Sequence, residues 1–166
     1  TLRFMHNTGS VYYGFDAGTG WDAGSWHHVA MTYSTASTTM TGYIDGASFA
    51  TDSSGSASTG SRTNATTIGK ASWTAGRYWP GIINEVIVYN TPLALADIQA
   101  LAATGPNGGP LPPDPMALST SGNIVSYWRN DGNLTWVDRA AAGMIDNTGT
   151  ATGSPDALLF KQGING

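Results

Sequence analysis

Apolar and polar positions alternate through Val29–Tyr33, where Val29, Met31 and Tyr33 are separated by Ala30 and Thr32. A period of two predicts a strand with one buried face, here over Trp26–Tyr33. Met40–Ile44 and Ala47–Ala50 are shorter runs joined by Asp45-Gly46. Asp and Gly tolerate the positive φ of a two-residue turn, so this pair predicts a hairpin. Leu2–Phe15 reads as two strands around a turn at Asn7-Thr8-Gly9, followed by a Gly-rich loop over Asp16–Ser25. Thr51–Asn64 is nearly all Ser, Thr, Gly and Ala and reads as a loop. Ala65–Gly69 and Gly81–Asn90 are predicted strands, with an aromatic loop, Trp73 to Trp79, between them. Val86 and Val88 fall on one face of Gly81–Asn90, and Ile87 and Tyr89 on the other. A strand apolar on both faces is expected to be covered on both.

One segment reads as helical, Leu95–Ala103. Leu93 and Ile98 fit a hydrophobic staple around a cap at Ala94, which offers no side-chain oxygen, and Asp97 suits the first turn. Gly105 and Pro106 stop the helix. The Pro- and Gly-rich stretch that follows, Gly105–Pro115, has the composition of a stiff linker. Asn123–Trp128, Leu134–Val137 and Ala157–Lys161 then read as strands, with turns at Asp146–Gly149 and Gly153–Pro155. The fold class is all-β with one short helix.

Composition narrows the function. Only 11% of the 166 residues are charged and the net charge is −4. No basic stripe exists to neutralise phosphates, which excludes nucleic acid as a partner. Thr, Ser, Asn and Gly must cover most of the surface. Cysteine is absent, so there are no disulfides and no thiolate metal sites. No apolar run reaches the length of a membrane span.

Three units in order carry a family resemblance: Trp26-His27-His28-Val29-Ala30, Tyr43-Ile44-Asp45-Gly46, and Gly81–Asn90. With Thr67-Ile68-Gly69 and the closing Leu93–Leu101 segment, residues 26–103 resemble the second half of a laminin-G-like module. Such modules occur in large bacterial and phage surface proteins. The resemblance implies a concanavalin-like antiparallel β-sandwich, or jelly roll. Ile124–Trp128, Asp138 and Gly153–Leu159 resemble the opening of such a module, although Ala140–Gly143 departs from the usual Asp-x-Ser-Gly turn. The order is tail before head. The expected domains are therefore residues 1–104 as the C-terminal part of one sandwich, 105–118 as linker, and 119–166 as opening strands. Two arrangements fit: a window from a tandem array in a longer protein, or head and tail complementing each other within or between chains.

Candidate chemistry is sparse. Glycoside hydrolysis needs two carboxylates across the scissile bond, yet Glu85 is the sole Glu and Asn84 and Val86 flank it. His27 and His28 are neighbours on a strand and face opposite sides, which suits neither a hydrolase triad nor zinc. No enzyme is expected. Calcium is the candidate cofactor, and only through the resemblance, which places its acidic ligands at Asp138 and Asn84. An Asn at the second position removes a charge and weakens such a site. Trp21, Trp73, Tyr78 and Trp79 lie in or beside loops, where flat rings either dock sugar faces or anchor loops over the sandwich edge. Trp26 and Trp128 are assigned to the core.

The expected function is that of a non-enzymatic module in a surface-displayed structural protein, such as a virion or phage fibre or an adhesin. Its work would be assembly with copies of itself or neighbouring modules, and adhesion. The alternative is a dedicated lectin-like module binding cell-surface glycans, assisted by calcium. Either places the chain outside the cell or on a virion surface.

Overall fold

The computed structural model describes residues 2–7, 12–17, 25–53, 67–69, 78–79, 81–103, 115–129, 135–136 and 149–150. Chain contacts divide it into two compact units: Thr1–Ser61 with Thr91–Ser121, and Arg62–Asn90 with Gly122–Gly166. Among the described residues there are nine strands and one α-helix, and every strand pairing is antiparallel. No described helix is long and apolar enough to cross a membrane.

In the first unit, β1 (Leu2–Asn7) and β2 (Tyr12–Ala17) form a two-stranded ladder running from Leu2↔Ala17 to Asn7↔Tyr12. A second sheet has the order β3 (Val29–Ser34), β4 (Thr39–Ile44), β5 (Ala47–Asp52). The central strand β4 carries the burial: Met40 and Tyr43 are core residues. The β3–β4 turn holds Thr38 at φ 50°, an unusual value for a β-branched residue. Local hydrogen bonds brace it, with Thr38 Oγ1 and Thr39 Oγ1 both donating to the Ser37 carbonyl at 2.8 and 3.1 Å. Asp45 and Gly46 have φ 52° and 76°, the two positive values that a type I′ hairpin requires. The β4–β5 register slips between Gly42 and Tyr43, leaving Phe49 unmatched on β5 as a bulge.

The helix α1 (Leu95–Ala102) closes this unit. Its cap, Ala94, makes no side-chain hydrogen bond, and its carbonyl accepts from Asp97 and Ile98 at 3.1 and 3.2 Å. Ile98 is fully buried. Burial of this one residue, together with Asp97 in the positive first turn, holds a helix that propensity alone leaves marginal.

In the second unit, β6 (Val86–Tyr89) pairs with β7 (Ile124–Trp128), so strands from either side of residues 105–118 share a ladder. The Asn90 N–H donates to the Asn123 carbonyl (3.0 Å) at one end, and Arg129 meets Glu85 at 3.4 Å at the other. Ile124, Ser126, Tyr127 and Trp128 are buried. Trp26, also assigned to the core from sequence, is half-buried. β8 (Thr135–Trp136) pairs with β9 (Gly149–Thr150). Gly149 was expected in a turn and instead opens β9.

Three expected strands depart from expectation, and Trp26–Tyr33 is β-structure only from Val29. Gly81–Asn90 is β-structure only from Val86, because Glu85 sits at φ 55° and turns the chain just before it. Thr67–Gly69 is not strand, since Gly69 lies at φ 76°. The strand expected at Ala157–Lys161 lies outside the described residues.

Candidate functional site

The histidine pair converges on one carboxylate. His27 Nδ1 lies 2.8 Å from Asp45 Oδ2, and the His28 backbone N–H donates to Asp45 Oδ1 at 2.9 Å. The Asp45 N–H returns a bond to the His28 carbonyl at 2.8 Å. The His28 ring points elsewhere: its Nδ1 is buried with no hydrogen-bond partner among the described residues. Burial pushes the His28 pKa below its ordinary value, and the nearby Asp45 charge only partly opposes this. A proton on that ring is disfavoured, so it stays neutral.

Gly46 then sets the turn on the helix. A Cβ there would lie 3.1 Å from Ala102 Cβ and 3.3 Å from Gln99 Cα. A shallow depression of about 310 Å³ beside this contact is lined by Asp45, Gly46, Ala47, Gln99, Ala102 and Ala103. It brings one carboxylate and one amide together and no second acid or base. That set can brace a turn.

The second unit presents a different surface. Tyr78 is 70% exposed and Trp79 38%, and Ile68 and Ile82 are exposed as well. Their backbone is tied locally. The Trp79 N–H donates to the Gly69 carbonyl at 2.7 Å, and Ile83 Cδ1 approaches the Gly69 Cβ position at 3.5 Å. The indole folds back on Gly81, where a Cβ would meet Trp79 Nε1 at 3.0 Å. A side chain at 81 would displace the ring. The described residues 67–69, 78–79 and 81–84 include no charged side chain. Among the described residues, this stretch presents two exposed rings and two exposed aliphatic side chains.

Of the ring candidates, Tyr78 and Trp79 therefore stand side by side on an exposed surface, while Trp21 and Trp73 lie outside the described residues. Of the calcium candidates, Asn84 is exposed and offers a neutral amide oxygen, and Asp138 lies outside the described residues. Among the described residues no group of three or more His, Asp or Glu side chains is gathered for a metal ion. Sequence reasoning did not single out Ile68, Ile82 or Gly81. An isolated Ile beside a Gly has no periodicity to mark it, and only Trp-Pro-Gly at 79–81 hinted at a ring over a bare backbone.

A laminin-G family model, described as the concanavalin A-like lectin/glucanases superfamily, matches residues 1–99. The chain belongs to this family. It is an all-β, concanavalin-like sandwich of antiparallel strands with one helix. The chain is also similar to an S-layer domain-containing protein (residues 221–444) from Clostridium thermocellum ATCC 27405, known from a crystal structure. The identity is 24% and the TM-score 0.43, with 60% of this chain and 50% of that one covered. This chain thus spans about half the length of that solved chain. No curated protein matches it.

The laminin-G-like signature now has a physical account. Within that signature His27 and His28 meet Asp45, and Gly46 lies against Gln99 and Ala102 of the closing helix.

Proposed function

We propose that this laminin-G-like chain is a non-enzymatic module of a surface-displayed protein, working in adhesion and assembly. The observation that carries this reading is the exposure of Tyr78, Trp79, Ile68 and Ile82 on neighbouring stretches of described chain. Exposed apolar groups held on a fixed backbone mark contact surfaces. Family membership, low charge and a Thr- and Ser-rich composition support placement outside the cell or on a virion. A phage fibre or a bacterial adhesin fits equally. Copies of the chain or neighbouring modules are the assembly partners.

A second reading is favoured by the rings themselves. Tyr78 beside a Trp79 pre-set by Gly81 is a platform for the apolar face of a neutral sugar, which makes a lectin-like role the alternative. One titration series separates the two. Neutral oligosaccharides and intact bacterial cells are offered to the chain and to its Tyr78→Ala and Trp79→Ala variants. Loss of cell binding without sugar binding supports adhesion to protein, and loss of both supports the lectin. Variants that bind cells as well as the parent overturn the patch in either role. Release of reducing ends from a β-glucan would overturn the non-enzymatic reading.

A further inference from the structure

The strand that pairs with β6 comes from outside the family-matched stretch. The match ends at residue 99, and β7 begins at Ile124. Between them lie residues 105–118, rich in Pro and Gly. A boundary between domains falls where few contacts cross the chain. Here a ladder crosses: Val86↔Trp128, Ile87↔Tyr127, Val88↔Ser126 and Tyr89↔Ile124. Its register slips once, between Val88 and Tyr89, which leaves Val125 unmatched as a bulge and pins the alignment. Chain contacts agree with the ladder. Residues 62–90 cluster with 122–166, although only the first of these segments lies within the match.

Burial separates a built-in strand from one that merely rests against its neighbour. Tyr127 and Trp128 are 4% and 9% exposed, and Ile124 and Ser126 are buried as well. Tyr127 and Trp128 are adjacent on a strand, so they face opposite sides. β7 is therefore buried on both faces, as an interior strand is. From this we infer that β7 is a donated strand: β6 of the laminin-G-like tail is the acceptor, and β7 of the same chain is its occupant. Of the two arrangements that fit the sequence, head and tail complementing each other within one chain is the one assigned. Recognition follows the chemistry of strand addition, in which main-chain bonds give affinity and alternating side chains give specificity. The donor core Ile-Val-Ser-Tyr-Trp is uncharged. Each end is then fixed by a polar contact, the Asn90 N–H on the Asn123 carbonyl and Arg129 on Glu85. Residues 1–104 are incomplete without this strand. The inference does not rest on the Tyr78–Trp79 surface, so each survives failure of the other.

The test keeps the full chain. A protease recognition site is inserted between Gly108 and Gly109 and cut after folding. The cut chain is expected to elute as one species at the mass of the uncut monomer, with an unchanged circular dichroism spectrum, and to separate only in urea. Two fragments that part in native buffer would mean two independent modules and overturn the inference. The second arm uses the absence of cysteine. Val88→Cys with Ser126→Cys sets two thiols opposite each other on the ladder, within disulfide reach. Mild oxidation at micromolar concentration is expected to link them within one chain at least tenfold more than between chains, because the tethered strand is effectively far more concentrated. Disulfide-linked dimers as the main product would give the strand to a second copy and overturn the same-chain assignment. The cut chain keeps both native strands, so it decides the matter even if the double variant misfolds.

Discussion

The Asp45 turn and the Tyr78–Trp79 patch divide the chemistry of this chain between them in an unexpected way. The turn holds groups that usually signal activity, two histidines and a carboxylate, and Asp45 is bound to His27 and the His28 N–H while Gly46 lies against the helix. Among the described residues 67–69, 78–79 and 81–84 no charged side chain occurs, and Tyr78, Trp79, Ile68 and Ile82 are exposed. In this chain the reactive-looking residues brace the Asp45 turn, and the proposed contact surface is largely aromatic. Asp45 is satisfied by His27 and the His28 N–H, whereas Tyr78 is 70% exposed.

That contrast can be broken by measurement, first at the turn. Gly46→Val combines a strained positive φ with a Cβ 3.3 Å from the Gln99 backbone. It should cost about 2–4 kcal/mol in urea unfolding, and leave any ligand affinity of the folded fraction intact. Asp45→Ala removes the acceptor of both the His27 ring and the His28 N–H. With Asp45 partly open to solvent, the expected loss is about 1–2 kcal/mol by the same measurement. If either change left stability untouched, the turn would not be the brace described here.

Acid should act through His28. Its folded-state pKa is lowered by burial, so between that value and the ordinary 6.5 the unfolded chain binds more protons than the folded one. Its contribution is fully present above about pH 6.5 and is lost as the pH falls toward and through the lowered folded value. A urea midpoint flat above pH 7.5 and declining below 6.5 is expected, and His28→Gln should flatten that decline. The smallest effect belongs to the patch. Tyr78→Ala should shift unfolding by no more than about 0.5 kcal/mol, as for exposed residues generally, while weakening partner binding about tenfold. A Tyr78→Ala chain that unfolds easily would mean the ring is an anchor and not a contact.

The strand order, the hairpin at Asp45-Gly46 and the helix at Leu95–Ala102 were legible in the chain because each is local: a period of two, a turn that needs positive φ, a staple around a cap. The family was legible for the same reason, since its signature is a set of short runs. What reached further was read less well. Gly81–Asn90 looked like one long strand, and the left-handed turn at Glu85 has no mark in a run of apolar residues. The exposed Ile68 and Ile82 could not be told from core residues, since the same side chain serves both places.

Sequence by itself thus determined the all-β class, the laminin-G-like family and the absence of cysteine. Tertiary structure decided that Val86–Tyr89 takes Ile124–Trp128 as its partner, that one carboxylate engages both histidines, and that Trp79 rests on Gly81. The physical reason is range. Backbone preference and periodicity act over a few neighbours and are written in the chain, whereas a strand's partner is chosen by burial among several uncharged candidates dozens of residues away, each of which pairs acceptably until the whole fold removes the others.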